Sequence, residues 1–100
     1  MTDEAPSSPE GATARRTAII CNRRGLHARA AAKFVKLAFE FTSEITVAKG
    51  ESAVSGRSIM GLMMLAAGPG TEIELAATGP DAQRAVDALT ALVTGGFDES

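Results

Sequence analysis

The chain has 100 residues, 45% of them hydrophobic, so it suits one small domain with a single core. Its formal net charge of −2 argues against general nucleic-acid binding. Its only cysteine, Cys21, excludes an intramolecular disulfide and a cysteine-based metal cluster, and we expect it to pack at a strand end. No apolar run is long enough to span a membrane and no signal-peptide core opens the chain, which favours a cytoplasmic protein.

Residues 1–14 are rich in Ser, Pro, Ala and Glu, and no large apolar residue follows Met1 among them. This composition is typical of a disordered tail. We therefore predict a folded domain over residues 15–97, followed by a short C-terminal tail at residues 98–100.

The first half of the domain alternates between strand and helix patterns. Residues 15–21 are predicted to form a strand, and a helix is predicted to begin at Ala28. The apolar residues that recur at three- and four-residue spacings along this helix are Ala31, Phe34, Val35, Ala38 and Phe41. Two strands follow at Glu44–Lys49 and Ser52–Ser55, joined by a tight turn at Gly50-Glu51.

The second half contains two more helices and one strand. A short helix is predicted over residues 58–65 with Ser58 as its N-cap, and a strand over residues 71–78. The last helix is predicted to have Pro80 at its first position and Asp81 in its first turn. Its buried apolar stripe consists of Ala82, Val86, Leu89 and Val93. The helix is predicted to end at Gly95-Gly96.

The predicted order β-α-β-β-α-β-α defines an α+β domain. It favours a largely antiparallel sheet with helices on one face and the other face open to solvent. Because a similar order occurs in RNA-binding folds, an RNA-binding sheet is one alternative. The predicted strands, however, carry no aromatic residue that could stack on a base.

The only histidine, His27, stands at the predicted start of the first helix. Unpaired backbone N–H groups and the helix dipole make this end of a helix partly positive, which suits a bound anion. Arg29 adds a full charge, and no acidic residue occurs between Glu10 and Glu40, where most of the ten basic residues lie. His27 is therefore either a cap on a solvated basic face or a nucleophile beside an anion pocket.

The stretch Gly25-Leu26-His27-Ala28-Arg29 resembles the active-site motif of HPr, the histidine-containing phosphocarrier of the phosphoenolpyruvate-dependent phosphotransferase system. A second stretch, Ser58-Ile59-Met60-Gly61-Leu62-Met63, resembles the serine-containing second-helix segment of that family. The resemblance covers about residues 15–97. It implies an open-faced β-sandwich, which is a four-stranded antiparallel sheet with three helices on one face.

The resemblance also implies a stoichiometric phosphoryl carrier, rather than a turnover enzyme, that needs no metal or cofactor. His27 would accept the phosphoryl group on Nδ1 from phosphorylated enzyme I and pass it to an enzyme IIA domain, with Arg29 assisting the transfer. No metal ligand and no aspartate that could orient the imidazole stand beside the motif, which argues against a hydrolase. The family usually has proline where this chain has Ala30, so the first helical turn should be slightly freer.

The second motif implies a docking surface and a regulatory site. The residues that match the family's apolar patch for enzyme I and enzyme IIA are Ile59, Met60 and Met63. A Met-rich helix could instead be core. Arg57 and the basic face near Lys33 would steer acidic partners. Ser58 is either a simple N-cap or also the serine that HPr kinase/phosphorylase modifies.

Two further alternatives keep the same fold. The chain could serve a regulatory, nitrogen-type branch of the phosphotransferase system instead of sugar uptake. It could also be an interaction adaptor that is never phosphorylated, although the intact pair of His27 and Arg29 argues against this. Because the family is mostly monomeric, the resemblance implies a monomer.

Overall fold

The computed structural model describes residues 12–99. Residues 1–11, which make up most of the predicted N-terminal tail, lie outside the described residues, as does Ser100. The elements in chain order are β1 (Thr13–Ile19), α1 (Ala28–Ala38), β2 (Glu44–Lys49), β3 (Ser52–Ser55), α2 (Ile59–Met64), β4 (Glu72–Thr78), α3 (Ala82–Thr94) and a 3-10 turn (Gly96–Asp98).

The four strands form one antiparallel sheet in the order β1-β4-β2-β3. The central strand β4 pairs with β1 along its whole length, from Thr78 opposite Thr13 to Glu72 opposite Ile19. On its other edge β4 pairs with β2. The four-stranded antiparallel sheet and the element order expected from the sequence are confirmed.

One face of the sheet is apolar because side chains alternate along each strand. Val47 of β2 and Leu75 of β4 lie on this face and are fully buried. Each helix adds fully buried side chains to the same core, among them Phe34, Leu62 and Leu89. Burying each of these side chains contributes about 1.5–3 kcal/mol. The opposite face is largely exposed, so the open-faced sandwich is confirmed.

The first strand begins and ends two residues earlier than predicted. Thr13 and Ala14 belong to β1 rather than to a tail, because the pairing with β4 starts at Thr13. Cys21 lies beyond the strand and is exposed. Its thiol donates to the carbonyl oxygens of Val93 (3.6 Å) and Thr94 (3.4 Å), so it lies beside the end of α3.

The first helix is shorter than its apolar pattern. The pattern continues to Phe41, but α1 ends at Ala38 and Phe39 is its C-cap. Phe41 still packs against the core as a half-buried side chain, whereas Phe39 is 64% exposed.

The prediction that α3 begins at Pro80 is wrong, because Asp81 is its N-cap and the helix begins at Ala82. The Asp81 carboxylate makes no capping bond. It accepts hydrogen bonds from the Ser43 hydroxyl (2.5 Å), the Ser43 N–H (3.0 Å) and the Thr42 N–H (3.0 Å). These bonds, led by the Ser43 hydroxyl, lower the pKa of Asp81 to about 2 and tie the start of α3 to the α1–β2 connection.

Across residues 12–99, no helix has the length and the apolar character that a bilayer crossing requires.

Candidate functional site

A tight loop before α1 fixes the backbone that leads into His27. Asn22 Nδ2 donates to the Gly25 carbonyl oxygen (2.9 Å), and the Gly25 N–H donates to the Asn22 carbonyl oxygen (3.2 Å). Gly25 has a φ of +64°, and a Cβ there would lie 2.3 Å from the Ala67 carbonyl oxygen, so only glycine fits. The Leu26 N–H donates to that same oxygen (3.0 Å), which holds the loop against the segment after α2.

His27 is the N-cap of α1. Its Nδ1 accepts a hydrogen bond from the Arg29 backbone N–H (3.2 Å), and its carbonyl oxygen accepts one from the Ala31 N–H (2.8 Å). The imidazole is 17% exposed. One edge of the ring therefore faces the positively polarised end of α1, as the sequence predicts.

The other edge of the ring meets a carboxylate. His27 Nε2 lies 2.5 Å from Glu99 Oε2, and Glu99 Oε1 accepts a hydrogen bond from Asn22 Nδ2 (3.1 Å). Because Nδ1 accepts from a backbone N–H, we assign the ring proton to Nε2, which donates it to Glu99. The hydrogen bond from His27, and then that from Asn22, hold the pKa of Glu99 below its ordinary value.

Two residues with left-handed backbone bring Glu99 to the ring. Phe97 has a φ of 57° and Asp98 a φ of 61°. This conformation costs a non-glycine residue about 1–2 kcal/mol and persists only where the surroundings hold it. Phe97 is held because its side chain is fully buried and its carbonyl oxygen accepts a hydrogen bond from Lys33 Nζ (2.7 Å).

Glu99 is not among the site residues predicted from the sequence. The prediction of a tail at residues 98–100 places it outside the domain. Glu99 is 72 positions from His27, and its approach depends on the backbone of the two preceding residues. No local sequence signal indicates this contact.

A cleft of about 360 Å³ opens beside His27. The residues that line it are Arg24, His27, Arg29, Lys33, Asp98 and Glu99. Three of these side chains are cationic and two are carboxylates, so positive charge exceeds negative charge in the cleft, and the positively polarised end of α1 adds to it. Arg24, which the sequence analysis assigned only to a loop, joins Arg29 and Lys33 here.

The second motif lies at the start of α2. Ser58 is the N-cap, as predicted, and its hydroxyl oxygen accepts a hydrogen bond from the Gly61 N–H (2.9 Å). Of the following side chains, Leu62 is buried, whereas Ile59 (40%), Met60 (67%) and Met63 (40%) are exposed. The expected docking residues are therefore surface residues rather than core. Met64, which the sequence analysis did not single out, is 77% exposed and enlarges this apolar surface.

The exposed face of α2 reaches the histidine. Met63 and His27 line one hollow of about 340 Å³, together with Arg24 and the segment after α2. The structure thus places Met63 and His27 on the same hollow. We call the exposed side chains Ile59, Met60, Met63 and Met64 the α2 patch.

Arg57 has internal partners. Its guanidinium donates to the carbonyl oxygens of Phe41 (2.6 Å) and Ser43 (3.1 Å) and lies 5.4 Å from the centre of the Phe39 ring. Arg57 therefore fastens α2 to the end of α1, a contact that the sequence analysis did not foresee.

Comparisons with known proteins agree on one family. Residues 14–95 match the family model described as "PTS HPr component phosphorylation site". The chain is 55% identical over 80 residues to the phosphocarrier protein HPr of Neisseria meningitidis, covering 80% of this chain and 90% of the relative. It is 51% identical over 85 residues to the phosphocarrier protein NPr of Shewanella violacea, covering 85% of this chain and 93% of the relative.

The fold comparison gives the same result. The structure resembles a crystal structure of HPr from Thermoanaerobacter tengcongensis with a TM-score of 0.83 and 41% sequence identity. The match covers 87% of this chain and 98% of the solved one. HPr of that bacterium has also been solved as a dimer.

Proposed function

We propose that this chain, which belongs to the HPr family of phosphocarrier proteins of the phosphotransferase system, carries its phosphoryl group on Nδ1 of His27. The donor is phosphorylated enzyme I, and the acceptor is an enzyme IIA domain. The observation that carries the proposal is the orientation of the ring, whose Nδ1 faces the Arg29 N–H at the end of α1 while Nε2 is bonded to Glu99.

The chemistry follows from the two edges of the ring. The Nδ1 lone pair attacks phosphorus, a P–N bond forms, and the bond from phosphorus to the donor breaks with its electron pair staying on the donor. No proton leaves His27, because Nε2 carries the only ring proton. The Arg29 N–H, which caps Nδ1 in the free protein, can then donate to a phosphoryl oxygen.

Arg29 assists through its side chain as well. It is exposed at the edge of the cleft, so its guanidinium can follow a phosphoryl group that is shared between two proteins. A planar fork of N–H donors matches the oxygens of that group in the transition state.

The α2 patch docks enzyme I and enzyme IIA in turn. It adjoins His27 through Met63, and flexible thioether side chains suit one surface that must fit two partners. The basic face near Lys33 favours acidic partners. Arg57, whose guanidinium donates to the carbonyl oxygens of Phe41 and Ser43, supports the patch by fastening the start of α2.

Ser58 serves as a regulatory site for HPr kinase/phosphorylase. Its oxygen already sits at a helix N-terminus, so α2 tolerates a phosphate there. Such a phosphate would put about two negative charges beside the α2 patch. Docking of enzyme I would then be opposed by charge and by the cost of desolvating the phosphate.

The test is a two-step relay followed by intact mass. The chain is incubated with phosphoenolpyruvate and enzyme I of its own organism, and enzyme IIA domains are then added. We expect one acid-labile phosphoryl group, its complete absence in His27→Ala, and its transfer to at least one enzyme IIA. Acceptance by folded His27→Ala would contradict the site, and no acceptance by the wild type would favour the adaptor.

The same experiment assigns the branch. Enzyme IIA domains of the sugar-uptake branch and of the regulatory, nitrogen-type branch are added separately. The domain that removes the phosphoryl group from His27 faster identifies the branch. We place the carrier in the cytoplasm as a monomer, and light scattering at the same concentration checks the monomeric state.

A further inference from the structure

We propose that Glu99 is a positioning residue, which fixes the tautomer and orientation of His27 so that Nδ1 is the unprotonated, nucleophilic nitrogen. This inference rests on the proposed carrier function and deepens it. Glu99 approaches the ring from the edge opposite Nδ1, so it acts through the imidazole and does not touch the phosphoryl group.

The first support is the chemistry of the contact. An ionised carboxylate can only accept hydrogen bonds, so its partner nitrogen must carry the proton. Glu99 Oε2 accepts from Nε2 of His27, while Oε1 is held by Asn22 Nδ2. The carboxylate is thus itself oriented by a buried side chain, and the ring is fixed at both edges.

The second support is the backbone conformation that makes this contact possible. Two consecutive non-glycine residues, Phe97 and Asp98, adopt left-handed backbone immediately before Glu99. The buried Phe97 side chain and the hydrogen bond from Lys33 hold this turn in place. The described segment after α3 is therefore held against the site by packing and hydrogen bonds.

The third support is the charge that develops during transfer. When Nδ1 bonds to phosphorus, Nε2 keeps its proton and the ring becomes formally cationic. The Glu99 carboxylate compensates this charge at hydrogen-bond distance, in a cleft whose other nearby charges are mainly cationic. In the reverse step the P–N electron pair returns to Nδ1, the phosphoryl group leaves for the acceptor, and the Nε2 proton again stays in place.

The experiment compares Glu99→Gln with Glu51→Gln in the full chain. Both variants remove one negative charge and keep the size of the side chain, but Glu51 is an exposed residue of the β2–β3 turn. The amide that Glu99→Gln places beside the ring can donate to it as well as accept from it, so the tautomer is no longer fixed. Because the chain has one histidine, ¹⁵N NMR reports this imidazole without overlap.

We expect the wild type and Glu51→Gln to show only the Nε2–H tautomer at neutral pH, and Glu99→Gln to show a mixture. We also expect Glu99→Gln to accept the phosphoryl group about tenfold more slowly, with its affinity for enzyme I unchanged, because a charge-assisted hydrogen bond becomes a neutral one. A loss of affinity alone, or a rate and tautomer equal to those of Glu51→Gln, would overturn the inference. So would a changed tautomer with an unchanged rate.

The outcome separates this inference from the proposed function. If the wild type accepts no phosphoryl group, the carrier function fails, and the role of Glu99 in transfer fails with it. If the wild type accepts and Glu99→Gln matches it in rate and tautomer, the carrier stands and only the role of Glu99 is lost.

Discussion

The N-termini of α1 and α2 are capped in the same way but have different surroundings. In each, a polar side chain at the N-cap accepts a hydrogen bond from a backbone N–H, from Arg29 to His27 and from Gly61 to Ser58. The surroundings differ. His27 lies between a carboxylate and a cleft with three cationic side chains, whereas Ser58 begins a helix whose exposed side chains are apolar.

A helix N-terminus by itself therefore does not select the chemistry. Both ends offer partial positive charge. Only the α1 end combines a ring nitrogen that can act as a nucleophile, a cleft with three cationic side chains and a carboxylate on the other edge of the ring. The α2 end offers a hydroxyl with no general base among its described hydrogen-bond partners, which suits modification by a separate enzyme.

The largest expected effect on this contrast comes from Arg29→Ala. Removing a donor that acts in the transition state should slow phosphoryl transfer to His27 roughly a hundredfold. Affinity for enzyme I should change much less, because Arg29 lines the cleft beside His27 and does not belong to the α2 patch. Rapid-quench kinetics over a range of enzyme I concentrations separates rate from affinity.

Arg29→Lys is the matched control for that variant. It keeps the charge but loses the planar fork, so it should recover only part of the rate. A large loss of affinity with an unchanged transfer rate in Arg29→Ala would assign this residue to docking instead.

The second effect is expected from Ser58→Asp. Asp is as good an N-cap as Ser, so α2 should stay intact while one negative charge appears beside the α2 patch. We expect acceptance from enzyme I to fall about tenfold through weaker docking, since a buried or crowded charge costs on the order of 1–2 kcal/mol. Steady-state kinetics with varied enzyme I measures this.

Ser58→Asn provides the control, because Asn caps equally well and carries no charge. It should transfer at the wild-type rate. Equal acceptance by Ser58→Asp and Ser58→Asn would remove the electrostatic basis for regulation at this residue.

The smallest expected effect comes from Asp81 at the N-terminus of α3. Its replacement should change the free energy of unfolding but not the rate of phosphoryl transfer. The pKa of Asp81 is about 2 in the folded protein and 3.8 ordinarily, so its contribution to stability is full above about pH 4 and is lost as the pH falls through 2. Asp81→Asn should therefore be less stable than the wild type at pH 7, and the difference should shrink as the pH falls through 2. Urea unfolding at several pH values checks this, and a constant gap across that range would show that the carboxylate charge is not the cause.

The sequence predicts more of the fold than of the site. Period-two alternation in Glu44–Lys49 and the Gly50 turn suffice for the β2–β3 hairpin, because both signals are local. The predicted start of α3 is wrong because Asp81 finds its hydrogen-bond partners in the α1–β2 connection, which no local pattern reveals.

The site divides in the same way. His27, Arg29 and Ser58 follow from two local motifs and a family resemblance. Glu99 and the internal partners of Arg57 depend on contacts between distant segments, and in the case of Glu99 also on left-handed backbone at two non-glycine residues. Such features emerge only when the chain is folded.

The central claim is that transfer occurs on Nδ1, the ring nitrogen that faces the end of α1. ¹⁵N and ³¹P NMR of the phosphorylated chain identifies the modified nitrogen directly, since His27 is the only histidine. We predict one phosphoryl group on Nδ1, with Nε2 still protonated and bonded to Glu99. A phosphoryl group on Nε2, or on any other residue, would contradict the account.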